Sequence, residues 1–559
     1  MKFSRLWPLF ALPAFTLGAV CASAAPLVAP GLVAGVPHDP GTRDLGRAAP
    51  TFRLNVAVAL GYRHQAELEA LVTAQGDSSS PYYHKFLTKS QFNNYFSPTA
   101  DAYARASASL VKAGFTITHA YANRKIIDAS APVATAERYF GTEIHRVAQT
   151  GYGLRYQNVR EAHVPADVQG IVTNVIGLNN IGRFHTYNHF GPRHGAARGK
   201  TPLLAVPGQI FGPDLGYGPA AYIDGYDIPA KRATGKGQVS AVVIDADFLD
   251  SDLAAYLNYF GVYRSGPPTV RVPIDGGPPP GLGSPDSVET TLDVETIASL
   301  APGTSLYVYE FPDFTNTQYI IDAYEQVVID GFAGTVNSSF GGCEFTDGGL
   351  GQASNEIALQ GAALGITFHA STGDSGSGQF GCASTSVSSP ASAPYFTAVG
   401  GTSLYLDPTS GAFQREFAWS GGGGGVSSLF GLPSYQRGVA GVLPYGRNLP
   451  DVSFDADPST GTSFYYGGGF VGPIGGTSLS SPIFGAVQTL ENQLAGTQAG
   501  FVNPSLYKTF KKYGYKANGQ PIFRDITSGS NGFYSAKPGY DQTTGIGAEI
   551  VGNLSKYVR

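Results

Sequence analysis

From about residue 221 the sequence predicts a doubly wound parallel α/β sheet, preceded by a smaller layered α/β domain. Length is the first reason, since 559 residues exceed one ordinary domain. The second is "GQVSAVVIDAD" (237–247), a near-continuous apolar strand of the kind covered on both faces in a parallel sheet. The third is the order that follows. Helix "DSVETTLDVETIASLAPG", strand "TSLYVYEF", helix "TQYIIDAYEQVVIDG", strand "GTVNSSFG", helix "QASNEIALQGAALG" and strand "ITFHASTGD" alternate as βα units do.

Residues 51–180 read as the smaller unit. "FRLNVAVAL" alternates like a strand, and "HQAELEALVTAQG" is helical and ends at Gly76. "SPYYHKFLTKSQFNNYF" leads into the helix "ADAYARASASLVKAGF". Strands follow at "KIIDAS" and "GTEIHRVA", with a helix in "TAERYFG" between them. Residues 183–220 lack periodicity and are rich in Gly, Pro, Arg and His, so they read as an exposed linker of the kind proteases cut.

At the N-terminus Lys2 and Arg5 precede the apolar run 6–20 and the small residues Ala22, Ser23 and Ala24. This is the pattern of a secretory signal peptide, and the run is short for a membrane span. No later run is long and apolar enough to span a membrane. Cys21 leaves with the signal peptide, so Cys343 and Cys382 are the pair in the exported chain, and an oxidising compartment favours a disulfide between them. Charged residues make up 14% of the chain, the net charge is −5 and there are no long basic runs, which excludes a nucleic-acid partner.

"GGTSLSSP" (475–482) presents Ser478 on a small-residue turn, as nucleophilic serines often are. Such a serine needs a base. Of ten histidines only His369 lies beyond position 194, and it sits in the apolar strand "ITFHAS", where it reads as a packed core residue. "GDSGSG", containing Ser375, has the look of a chymotrypsin-type serine loop but lacks that family's histidine motif. Asp245 and Asp247 in "VVIDAD" have the look of a subtilisin strand, but no histidine helix follows. In its place stand Glu289 and Asp293, four apart and so on one helical face. Read alone, Asp286 and Glu289 have capping-box spacing and Asp293 faces water. Beside a presented serine in a histidine-poor domain, Glu289 reads as a general base and Asp293 as a neighbour sharing its proton.

These motifs resemble those of the sedolisins, the serine-carboxyl peptidases also called the kumamolisin group. The resemblance runs through "YYHKFLTKSQF", "YDIP", "ETTLDVE", "STGDSGSG", "PASAPYFTAVGGT", "RNLPDVSFDADP", "GGTSLSSP" and "RDITSGSNGFYSAKPGYDQTTGIG". Gly475 stands where the family's serine motif usually has serine. The resemblance implies a subtilisin-like catalytic domain, with a parallel sheet flanked by helices, behind a ferredoxin-like α+β prodomain. It assigns Ser478 as nucleophile, Glu289 as its base, Asp293 as the supporting carboxyl and Asp374 as part of the oxyanion hole. It also implies one structural Ca²⁺, held by the carboxylates of Asp525 and Asp541 and the carbonyls of Ile526, Lys537 and Gly539. Lys537 stands where the family usually has glycine.

The implied organisation is a signal peptide at 1–24, a propeptide at 25–182 that inhibits its own enzyme, a linker with the processing site at 183–220, and a catalytic domain at 221–559. The implied function is that of a secreted, monomeric, self-processing endopeptidase, cutting proteins or peptides on the order of pH 3 to 5. "NSSFGG" and "WSGGGGG" would wall its cleft. The alternatives are a neutral subtilisin-like protease, a tripeptidyl-peptidase of the same family and an inactive relative acting as a binding module.

Overall fold

The computed structural model describes residues 41–192, 208–379, 382 and 385–558. The signal peptide read at 1–24 and the middle of the 183–220 segment lie outside the described residues. Among the described residues no helix is long and apolar enough to cross a membrane.

An eight-stranded sheet organises the larger domain. Its strands run in the order Val270–Pro273, Ser305–Glu310, Val239–Ile244, Thr335–Ser338, Thr367–Ser371, Phe396–Leu406 and Phe413–Ala418, and Val452–Asp455 also pairs with Phe396–Leu406. All pairings are parallel except the hairpin that Phe396–Leu406 makes with Phe413–Ala418. Every strand and helix predicted between 237 and 374 is present. The edge strand Val270–Pro273, the hairpin and Val452–Asp455 were not anticipated. Val239–Ile244 is central and buried from Ser240 onward, which is why its sequence is apolar without alternation. The chain builds outward from it on both sides, so the crevice at the strands' carboxyl ends beside it is the natural ligand site.

Two helices bring the functional side chains to that crevice. Ser287–Leu300 is buried at every residue but Val288, carboxylates included. It packs against Thr477–Ala495, which lies along the sheet over Thr335–Ser338, Thr367–Ser371 and Phe396–Leu406. A helix buried all round can come only from a sequence poor in long charged side chains.

The smaller domain is an antiparallel sheet in the order Thr116–Ala120, Ile126–Pro132, Arg53–Leu60 and Val172–Ile176, with helices Gln65–Gln75, Ala100–Ala113 and Val133–Phe140 between its strands. Numbered along the chain, these strands lie in the order 2-3-1-4, the ferredoxin-like arrangement. The domain docks on helices Thr317–Asp330 and Leu350–Leu364. Tyr62 donates to Gln360 at 3.1 Å, Lys89 caps the first helix through the carbonyls of Ile329 and Asp330, and buried Lys125 pairs with Glu356.

The reading of 183–220 as exposed linker does not hold for its first part. His185–Thr186 pairs with Phe340–Cys343, and His189–Phe190 pairs with Ile474–Gly475. Phe184 and Tyr187 are buried. Two-residue strands carry no periodicity. The partners' backbone edges place them.

Buried carboxyls are numerous. Burial pushes Asp347 up to about 6, Glu325 to about 7 and Glu310 to about 8, and raises Asp128, Asp322, Asp455 and Glu549 as well. A carboxyl whose folded pKa is raised binds more protons than it does in the unfolded chain between the two values, so folding stability falls as pH rises through that window. The Ser478→Ala chain should therefore melt several degrees higher near about pH 4.5 than near about pH 7.5 in scanning calorimetry. A higher melting temperature at the neutral pH would show that other groups override these carboxyls.

Candidate active site

Ser478 is the second residue of the Thr477–Ala495 helix. The turn before it depends on Gly476, whose φ is +115°, and where a Cβ would stand 2.0 Å from the Tyr187 carbonyl oxygen and 2.5 Å from Asp374 Oδ2. No side chain fits there, and those two oxygens converge on one small space. Pro482 lies inside the helix rather than at its start. Having no N–H, it leaves the Ser478 carbonyl without its helical donor, and Ser339 Oγ approaches that oxygen at 3.5 Å instead.

Glu289 and Asp293 are both fully buried, so neither the capping-box nor the water-facing reading holds. The cap residue Asp286 makes no side-chain capping bond. Burial raises the pKa of both carboxyls, and the nearby Asp293 raises Glu289 further. Hydrogen bonds to each carboxyl partly offset that rise. Asn188 Nδ2 donates to Glu289 Oε2 at 2.7 Å. Ser339 Oγ donates to Asp293 Oδ1 at 2.6 Å. Glu289 Oε1 is buried with no hydrogen-bond partner, an open acceptor. In this state the Ser478 hydroxyl donates to the Ser339 carbonyl at 3.0 Å.

Asp374 follows the strand Thr367–Ser371. Its Oδ1 accepts from Thr477 N at 2.8 Å and Thr477 Oγ1 at 2.7 Å, and its Oδ2 faces His189 Nε2 at 3.3 Å. Burial outweighs the Thr477 donors and pushes the carboxyl up to about 8, so Asp374 is protonated in acid. A protonated carboxyl has an O–H to give to a developing oxyanion.

His369 is not within this group. Its Nδ1 meets Ser481 Oγ at 3.0 Å, and Ser481 spends its own proton on Asn337 Oδ1 at 2.7 Å, so His369 is the donor. Asn337 Nδ2 donates to Ser339 Oγ at 2.9 Å, which carries the chain of hydrogen bonds on to Asp293. Burial pushes His369 down to about 3 and keeps it neutral. Ser375 is exposed and belongs to none of these contacts. Ser339 and Thr477 are the support residues that motif reading missed, although both sit inside quoted motifs.

Cys343 and Cys382 are joined, with Cα atoms 5.7 Å apart. Their bridge ties the strand Phe340–Cys343 to the loop after Asp374.

In the C-terminal loop, Asp525 Oδ2 accepts from Gly539 N at 3.2 Å and Asp541 Oδ2 from Lys537 N at 3.0 Å. Ile526 is buried beside them. Asp525 Oδ1 is buried without a partner, and burial raises both carboxyls. Two carboxylates in one loop are hard-oxygen donors of the kind Ca²⁺ takes.

Comparison with known proteins agrees with this architecture. Residues 40–181 match the family "Pro-kumamolisin, activation domain", and residues 284–497 match the "Subtilase family". Sedolisin of Pseudomonas sp. (strain 101) is 32% identical, over 92% of this chain and 89% of the relative. Its solved structure, complexed with pseudo-iodotyrostatin, superposes with a TM-score of 0.55 at 31% identity, covering 62% of this chain and 98% of that one. Kumamolisin of Bacillus sp. (strain MN-32) is 32% identical over 91% of this chain and 92% of its own length. Tripeptidyl-peptidase 1 of Bos taurus is 28% identical over 91% of this chain and 92% of its own.

Proposed function

The chain belongs to the sedolisin family, and from that premise we propose that it is a secreted, acid-active serine-carboxyl endopeptidase made as a self-processing zymogen. The observation that carries this reading is a helix-start serine beside a fully buried carboxyl pair, in a domain whose one histidine is neutral and bonded elsewhere.

As Ser478 Oγ attacks a substrate carbonyl carbon, its proton passes to Glu289. Asp293 shares that proton and keeps Glu289 partly ionised in acid. The carbonyl oxygen, now negative, takes hydrogen bonds from the Ser478 N–H and from protonated Asp374. Glu289 returns the proton to the leaving amine, and a water molecule repeats the cycle on the ester. Asp374 works only while protonated, so activity falls as pH rises through its pKa. The value of about 8 belongs to a cleft filled by residues 184–190, and emptying the cleft lowers it by hydrating the carboxyl.

The alternative of tripeptidyl action is supported by the similarity to tripeptidyl-peptidase 1. Against it, the cleft holds a chain that continues in both directions, with Phe184 buried at one end and Phe190 paired at the other. That suits internal cleavage.

Asp525, Asp541 and the carbonyls of Ile526, Lys537 and Gly539 would hold a Ca²⁺ ion, which would supply structural cross-linking to the C-terminal loop.

Two outcomes test the proposal. Ser478→Ala should purify as an unprocessed chain that keeps its leader on acidification and cleaves no peptide. Processing at the wild-type rate would remove Ser478 from the mechanism, and a wild-type chain that likewise never processes or cleaves would point to a binding module. Separately, a chelator should lower the melting temperature of the mature enzyme, and added Ca²⁺ should restore it. Indifference to Ca²⁺ at any concentration would reduce the loop at 525–541 to a turn.

A further inference from the structure

We propose that the bond the enzyme cuts in its own chain is Tyr187–Asn188, and that Gln379 and Ser388 make the pocket before that bond selective for tyrosine. This rests on the self-processing peptidase reading above and names its first substrate.

The backbone carries the assignment. The Tyr187 carbonyl oxygen accepts from the Ser478 N–H at 3.1 Å, the donor that an oxyanion hole must provide. The same oxygen shares with Asp374 Oδ2 the small space over Gly476. The Tyr187 N–H reaches Ser478 Oγ at 3.1 Å and the Ser339 carbonyl at 3.2 Å, which holds the residue directly over the nucleophile. Upstream, His185–Thr186 runs antiparallel to Phe340–Gly341. Downstream, His189–Phe190 runs antiparallel to Ile474–Gly475. The segment is thus a strand laid across the cleft with one carbonyl carbon at Ser478. On the leaving side, the Asn188 side-chain amide touches Glu289, so the residue whose backbone nitrogen must receive a proton is already held at the group that would deliver it.

The step balances without any added reagent but water. Ser478 Oγ bonds to the Tyr187 carbonyl carbon and its proton passes to Glu289. The Tyr187–Asn188 C–N bond breaks, and Asn188 leaves as an amine carrying the Glu289 proton. Water then cleaves the ester, giving a Tyr187 carboxyl group and restoring Ser478.

The Tyr187 side chain is 1% exposed. Its hydroxyl lies 2.7 Å from Ser388 Oγ and 3.5 Å from Gln379 Oε1. Gly341 makes room, since a Cβ there would stand 2.8 Å from that hydroxyl. The Cys343–Cys382 bridge holds the two walls together, one carrying Gly341 and the other Gln379. A pocket with a polar floor under a phenol ring prefers tyrosine to phenylalanine, because without the hydroxyl the buried polar groups lose a partner.

The test is to acidify purified full-length wild-type chain, quench at early times and sequence the first new N-terminus. Asn188 is expected. In parallel, the mature enzyme is given a synthetic peptide of residues 183–192 with Tyr, Phe or Ala at position 187. Tyr should exceed Phe in kcat/KM by roughly threefold to tenfold and Ala by roughly a hundredfold or more, and Gln379→Ala should narrow the Tyr–Phe gap. A first N-terminus elsewhere, with the Ser478→Ala chain still unprocessed, overturns the bond assignment and leaves the peptidase reading standing. Failure of the wild-type chain to process or to cut any peptide overturns both. Equal rates on Tyr and Ala peptides overturn the pocket assignment alone.

Discussion

Two carboxyls fully buried side by side can carry one negative charge between them but not two. The rest of the site answers to that constraint. The Ser339 hydroxyl and the Asn188 amide solvate the one charge. A buried chain from His369 through Ser481 and Asn337 orients Ser339. Asp374, bonded to the neighbouring Thr477, is kept protonated in acid by its own burial. In the mechanism proposed above, a proton shared between carboxyls stands in for the single imidazole of other serine hydrolases, which would confine the chemistry to conditions where carboxyls keep protons.

The same logic extends beyond the site. Carboxyls buried where leader and catalytic domain meet, Asp128 of the leader and Asp322 and Glu325 facing it, hold protons more tightly in the folded zymogen than they would in water. The leader both docks through its ferredoxin-like domain and threads its C-terminal strand through the cleft, so its hold on the enzyme is double. The disulfide bears on the same region, since Cys343 closes the strand with which the threaded segment pairs.

Much of this was legible in the sequence where burial leaves a periodic or compositional trace. The apolar run around Val242, the helix–strand alternation and the Glu289–Asp293 spacing all carry one. The serine's context and the position of His369 in an apolar strand were also readable. What escaped was set by tertiary contact alone. The two-residue strands at His185 and His189 exist only because Phe340 and Ile474 present edges to them, and composition made the same residues look like exposed linker. Burial of Asp293 could not be told from exposure by helical spacing, because every face of that helix is covered. The tyrosine pocket joins Gly341, Gln379 and Ser388 from separate segments, and no local pattern connects them.

The central claim is that carboxyls, not an imidazole, move the proton and receive the oxyanion. It is tested most directly by the pH dependence of kcat/KM for the mature enzyme beside its Asp374→Asn variant. The account predicts a wild-type optimum in acid, with an alkaline limb below the filled-cleft value of about 8 for Asp374. It predicts a slower variant whose alkaline limb moves upward, because an amide donates without titrating. A wild-type optimum near about pH 8 that disappears in His369→Ala would contradict it and make histidine the base.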